Sequence, residues 1–367
     1  MTSTAANHDA GATDATIKIG NTQTYSGPAS SYGIIGRSQA AYFGMINEQG
    51  GINGRKIQYI SHDDAYNPQE ALKQARKLVE SDEVLLMVPP SSTLWIRETL
   101  SYLDGKNVPL IGHWQPSYQG EAHVYGAYLA KNHPDHKVAI LYSEFADSSV
   151  AGLDQGLGAS RAERISVPGN AAASLGAGAH IHMLKHMGAT ALVSFTTPMF
   201  TAEAIRMMPE IGWKPAVHIL ANASLPFGRV LNLSSETSKG IISANYLKDP
   251  DDPDWSNDPG MRTFVEFLER ALPNEDEGNY LLAYGYTMAQ GIVALLKQCG
   301  DVLTRANMIK QAKNMNDIKF DLLLPGITFN TSLRKNHVPI QQMQLSRFDG
   351  MKWMRFGPLM EAMVKTN

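Results

Sequence analysis

The sequence predicts an α/β protein built as two similar lobes, and three observations carry that expectation. Strand-like apolar runs alternate with longer helical patterns. The alternation starts afresh near the middle of the chain. The 367 residues also exceed what one hydrophobic core grows to.

The elements follow in order. A strand at 17–19 leads to a helix over 32–48, and a strand at 56–60 to a helix over 68–80. A strand at 84–88 leads to a helix over 93–103 and then a strand at 108–111. Such alternation calls for a parallel sheet covered by helices. The second series runs through a helix at 119–132, strands at 137–142, 164–167, 191–195, 216–220 and 240–244, and helices at 150–157, 177–187 and 201–211. Asp249-Pro250-Asp251-Asp252-Pro253-Asp254-Trp255 reads as a solvated link between lobes, since its prolines do not fit a calcium loop. Helices at 261–271, 279–298 and 305–315 and a strand-like tail over 341–355 complete the chain.

Composition narrows the class. The chain is 43% apolar and 18% charged, with 32 basic against 35 acidic residues, so no broad basic field offers itself to nucleic acid or anionic lipid. The single cysteine, Cys299, allows no internal disulfide and no zinc cluster, and reads as a small buried helix residue. The longest apolar run, 280–296, is broken by Gly285, Gln290 and Gly291 and reads as a buried helix. Residues 1–16 are polar and rich in Ala, Thr, Asp and Gly. They read as a disordered leader without the regions of a signal peptide.

Catalytic patterns are missing. Gly152-Leu153-Asp154-Gln155-Gly156 and Gly156-Leu157-Gly158 match neither a dinucleotide fingerprint nor a phosphate loop. His180 and His182 stand two apart and do not share a helix face, and with His186 they lack a carboxylate at ligand spacing. Asp63 and Asp64 are adjacent at a strand end and point to opposite faces, which assigns one of them to structure. No Gly-x-Ser-x-Gly elbow occurs. A chain of this class without a catalytic constellation reads as a binder rather than an enzyme, with no cofactor and no metal. Its ligand is expected at the carboxyl ends of strands.

Particular residues then carry a resemblance. Ser26-Gly27-Pro28 with Tyr32-Gly33, Ile46-Asn47 with Gly50-Gly51-Ile52-Asn53-Gly54-Arg55, Asp63-Asp64 with Asn67-Pro68, and Ala75-Arg76-Lys77-Leu78-Val79 form one set. Gly212-Trp213-Lys214-Pro215 and Gly240-Ile241-Ile242 fit as well. Over 17–356 the chain resembles the periplasmic solute-binding proteins of ABC transporters, in the branch of the leucine/isoleucine/valine-binding protein. The resemblance implies a type I fold: two Rossmann-like lobes joined by a three-strand hinge, with crossovers near Ser117, Lys248 and Gln342. Lobe 1 would comprise 17–117 and 249–342, and lobe 2 would comprise 118–248 and 343–367. It also implies a periplasmic monomer without a nucleic-acid partner. Hinge closure would capture a small-molecule ligand, and a membrane ABC permease would receive it.

Carried over residue by residue, the resemblance places the ligand against Tyr32, Ser91, Ser92, Thr93, Trp95, Gln115, Tyr118, Phe145, Thr196, Thr197 and Asn222. Tyr32 would lie over the ligand. The hydroxyls and N–H groups of Ser91, Ser92 and Thr93 would hold a carboxylate. Two departures stand out. Amino-acid binders of the family place a carboxylate at the Asn222 position or near the first crossover, where this chain has Tyr118. A buried ammonium left without a countercharge costs several kcal/mol. With Tyr32, Trp95, Tyr118 and Phe145 able to flank a flat ring, the expected ligand is an aromatic acid. A branched-chain or other amino acid, or a sensor role for the same fold, is the alternative. Second, only Gly112 and His113 stand between Ile111 and Trp114, where the family has a longer loop of small and hydroxyl residues. His113 or Arg97 could replace those contacts.

Overall fold

The computed structural model describes residues 7–27, 29–89, 96–112, 114–143, 146–158, 163–167, 176–225, 235–331 and 338–362, without the side chains of 96–98, 163–167, 235, 236 and 317. The chain divides into two compact units. Unit 1 comprises 1–114, 257–322 and 329–339, and unit 2 comprises 115–256, 323–328 and 340–367.

In unit 1, β1 (Thr16–Gln23) lies between β2 (Lys56–Asp63) and β3 (Leu86–Val88), all parallel. The strand expected at 108–111 contributes one bridge, Leu110 to Met87. Pro109 has no N–H to give. The contact rests on Met87 N–H to Pro109 O and Ile111 N–H to Met87 O, both 2.8 Å. Helices α1 (Gly33–Glu48), α2 (Pro68–Glu80) and α3 (Ile96–Gly105) follow the three strands. Asn67 caps α2 by accepting from the N–H groups of Gln69 and Glu70, and Pro68 sits where a missing N–H costs nothing. The long apolar helix Tyr280–Cys299 packs beside α1, where Tyr42 meets Tyr286 edge-on at 5.0 Å. Cys299 ends that helix as a buried thiol, and burial pushes its pKa up to about 11.

Residues ahead of β1 differ from the disordered leader expected over 1–16. Asp9 N–H donates to Leu303 O at 3.2 Å, and the Asp9 carboxylate accepts from Arg305 N–H at 2.8 Å. Thr13 Oγ1 accepts from the N–H groups of Ala15 and Thr16. These polar side chains are committed to capping and turning, which fixes the segment from Asp9 onward.

Unit 2 is a seven-stranded sheet in the order β12-β11-β8-β7-β6-β4-β5. The strands are β4 (Val138–Ser143), β5 (Glu163–Val167), β6 (Ala191–Phe195), β7 (Val217–Leu220) and β8 (Ile242–Asn245), all parallel. Then β11 (Gln342–Phe348) and β12 (Trp353–Glu361) continue antiparallel. The short strands β9 (Asn316–Ile318) and β10 (Phe329–Asn330) pair in unit 1. The register of β11 on β12 shifts between Gln344 and Leu345, so that Gly357 and Pro358 bulge out of the ladder.

Helices cover both faces of the large sheet. On one face lies α4 (Tyr118–Asn132), whose Tyr125 packs on Phe195, with α5 (Ser148–Leu157) crossing it at Gly126, Gly152 and Gly156. On the other, α6 (Gly176–His186) and α7 (Pro198–Glu210) bury Ile181, Leu184, Phe200 and Met208 against Ala139, Leu141 and Leu192. The stretch Asp249–Trp255 is solvated only in part: Asp251, Pro253 and Asp254 are exposed, whereas Asp249, Asp252 and Trp255 are buried. Arg355 lies 4.1 Å over the Trp255 ring and 3.3 Å from the buried carboxylate of Asp252. The cation satisfies ring and carboxylate together, which lets this acidic stretch fold onto the sheet. Among the described residues, no helix is long and apolar enough to cross a membrane.

Candidate functional site

In each unit the strand order reverses at one point, and ligands of such sheets bind beyond the carboxyl ends of the strands at that point. In unit 1 it lies between β1 and β3, and in unit 2 between β4 and β6.

At the end of β1 the chain turns through Ser26 and Gly27, whose φ of +80° suits a residue without a side chain. Asp63, at the end of β2, holds that turn. Its Oδ1 accepts from the N–H groups of Tyr25, Ser26 and Ala65, and its Oδ2 from the Ser26 hydroxyl at 2.6 Å. Partial desolvation works against the charge, but those hydrogen bonds outweigh it and keep the carboxyl below its usual pKa. Asp64 accepts from Thr24 Oγ1 at 2.7 Å and from Tyr66 N–H at 3.0 Å. Both aspartates are therefore structural anchors. Asp63→Ala is expected to lower stability by about 1 kcal/mol, read by denaturant unfolding, because four donors lose their acceptor; an unchanged midpoint would mean the turn stands without it.

Tyr32 follows this turn. It is 8% exposed, and its carbonyl accepts from Gln23 Nε2 at 2.5 Å. Asn21 was not singled out by the sequence. Its amide donates to Val88 O and Pro89 O, 3.2 Å each, and so fixes where β3 ends. Ser91, Ser92, Thr93, Trp95 and His113 lie outside the described residues, as do the side chain of Arg97 and, in unit 2, Phe145.

In unit 2, four of the expected residues gather beyond β6 and β7. Tyr118 opens α4 behind the Ser117 cap, and its ring meets Phe195 edge-on at 5.8 Å. Thr196 is buried, with its Oγ1 2.7 Å from Thr201 Oγ1, and its carbonyl accepts from the Ser224 hydroxyl at 2.6 Å. Thr197 caps α7. Asn222 begins the 3-10 turn Asn222–Ser224, and its amide donates to Ala244 O at 2.8 Å. Gln115 lies half-buried ahead of α4.

Sequence reading also missed Glu121. It is 3% exposed, and its Oε1 lies 2.6 Å from the Tyr125 hydroxyl and accepts from Asn222 N–H at 2.5 Å. Burial pushes its pKa up to about 7, against the pull of those two bonds. The available signal was a glutamate four residues before a tyrosine on one helix face. A separate cavity of about 380 Å³ lies at the amino ends of β7 and β8, among Trp213, His218 and Lys239, and none of the expected ligand residues lines it. Burial pushes the His218 pKa down to about 4.

Comparison with known proteins places this geometry. The periplasmic binding protein family's model matches residues 16–352. The Leu/Ile/Val-binding protein homolog 4 of Brucella abortus (strain 2308) is 36% identical over 85 residues, 23% of this chain and 20% of that protein. The match thus spans about a fifth of that relative's length. A branched chain amino acid ABC transporter structure from Thermus thermophilus with bound valine superposes with a TM-score of 0.79 at 14% identity, covering 94% of this chain and 96% of that one. A solute binding protein of an ABC transporter from Rhodopseudomonas palustris BisB5, in complex with 3,4-dihydroxy benzoic acid, gives 0.75 at 19% identity, covering 95% and 98%. At such identities the likeness establishes the fold, that of type I periplasmic binding proteins.

Proposed function

Because this chain belongs to the periplasmic binding protein family, we propose that it captures a small aromatic carboxylate by hinge closure and delivers it to a membrane ABC permease. It would do so as a periplasmic monomer and without catalysing a reaction. The ligand would be held by Tyr32, Ser91, Ser92, Thr93 and Trp95 of unit 1 and by Gln115, Tyr118, Phe145, Thr196, Thr197 and Asn222 of unit 2. In this reading the hydroxyls of Ser92 or Thr93 take the carboxylate, while Asn222, Thr196 or Gln115 take ring hydroxyls.

One observation carries the choice of ligand. The position after β7 holds an amide whose donor is spent on Ala244 O. The carboxylate that touches Asn222, Glu121, is engaged by Tyr125 and the Asn222 N–H and is held toward its neutral form by burial. To serve an ammonium as countercharge, Glu121 would have to ionise in this buried setting, against the desolvation that raises its pKa. The Tyr118–Phe195 ring pair offers an aromatic edge instead. The dihydroxybenzoate in the Rhodopseudomonas palustris structure supports such a ligand on this fold. An α-amino acid is the second reading, supported by the name of the Brucella abortus relative and by the valine in the Thermus thermophilus structure.

A thermal-shift series with benzoate, hydroxybenzoates, leucine and valine separates the two. At a hundred times its Kd the true ligand adds about 2.7 kcal/mol of stability. Stabilisation by hydroxybenzoates and not by leucine or valine is expected; the reverse pattern rejects the aromatic reading. Small-angle scattering with and without the stabilising compound then tests closure, and an unchanged radius of gyration argues against it.

A further inference from the structure

Three histidines lie on α6, and the fold separates them. His180 is buried, with its ring edge-on to Phe200 at 5.6 Å and its Nδ1 3.2 Å from Gly176 O. His182 and His186 are both exposed and stand four residues apart, one above the other on a single helix face. They border the same surface hollow together with Met183 and Lys185. Met183 is 49% exposed. The Lys185 ammonium is drawn away to Ile211 O at 2.5 Å. From behind, Ala177, Ile181 and Leu184 anchor the helix in the core of unit 2, so packing fixes the backbone positions that carry the two imidazoles.

Two histidines at this spacing on one helix face form a chelating pair for transition metals. The geometry points to a surface site for a divalent transition-metal ion, Cu²⁺ foremost, held by one ring nitrogen each of His182 and His186, with water completing the coordination. Among the described residues, no group of three or more His, Cys, Asp or Glu side chains could hold a metal, so the pair acts alone. With nitrogen ligands only, affinity follows the order Cu²⁺ above Ni²⁺ and Zn²⁺, and oxygen-seeking Mg²⁺ and Ca²⁺ are not bound. The site owes nothing to the solute-binding crevice and would clip the last turns of α6.

The test is a calorimetric titration of the tag-free chain with Cu²⁺ alone, set beside His182→Ala, His186→Ala and the double variant. One equivalent is expected to bind to the parent. Either single substitution is expected to reduce binding to the level of the double variant. Both positions are exposed and alanine favours the helix, so the variants fold; far-ultraviolet circular dichroism checks this. A thermal midpoint raised by Cu²⁺ in the parent and in none of the variants is the second readout. Parent-like affinity in either single variant, or parent binding no tighter than that of the double variant, overturns the proposal.

Discussion

The stability of Glu121→Gln, measured against the parent by urea unfolding from pH 4 to 8, is expected to rise with pH by about 3 kcal/mol between pH 4.5 and 7. Burial raises the native pKa of Glu121 from 4.5 to about 7. The native state therefore keeps a proton that the unfolded chain has released, and parent stability falls as pH rises through that window. An amide of the same shape can still accept from Asn222 N–H but has no proton to lose. Its difference from the parent grows with pH and levels off above 7. His218 supplies the opposite limb. Burial lowers its pKa from 6.5 to about 4, so the parent gives up stability as pH falls through that range. His218→Gln should gain on the parent by a similar amount on acidification, because the unfolded parent alone takes up the proton. The two windows nearly coincide with opposite sign, so each substitution unmasks a slope that the other group offsets. A Glu121→Gln difference that stays flat from pH 4 to 8 would show that the carboxyl titrates normally in the folded chain.

Gly152→Ala and Gly156→Ala are each expected to cost about 3 kcal/mol or more. A Cβ on Gly152 would stand 2.0 Å from Gln119 O, and one on Gly156 would stand 2.3 Å from His123 O. Both obstacles are backbone atoms of α4, which cannot rotate aside, so α4 and α5 must separate and leave Tyr125 and Leu153 poorly packed. The gain in helix propensity, about 1 kcal/mol, is too small to compensate. Gly44→Ala is the control. It lies mid-helix in α1 with nothing within 4 Å of the added carbon, and the same substitution should stabilise by up to about 1 kcal/mol. Urea unfolding of the three variants reads both signs; equal effects at Gly44 and Gly152 would refute the contact argument.

What the sequence disclosed and what it hid follow from the range of the interactions. Apolar periodicity and local caps such as Asn67-Pro68 and Thr197-Pro198 are short-range, and the helices they start lie within a few residues of their expected bounds. Gly152 and Gly156 were visible as a glycine-rich run, but their use depends on α4, which is a different helix. Glu121 was hidden for the same reason, since its partner Asn222 lies 101 residues away in the sequence. The burial of Asp252 and Trp255 was hidden because the cation that packs on them, Arg355, comes from β12. The resemblance proposed Tyr118, Thr196, Thr197 and Asn222 as ligand positions, and the structure sets them at or beyond the carboxyl ends of β6 and β7. Asn222 was legible as an amide, but its commitment to Ala244 O was not.

The bulge at Gly357 and Pro358 also bears on how the protein behaves in a crowded solution. β12 is a nine-residue strand at the border of a seven-stranded sheet, where unpaired peptide groups would invite another chain to add itself. Pro358 has no N–H to offer, Gly357 turns the backbone to a φ of +69°, and Arg355 and Glu361 bring charge to the same strand. The kink and the missing N–H make this border a poor template for sheet-to-sheet aggregation.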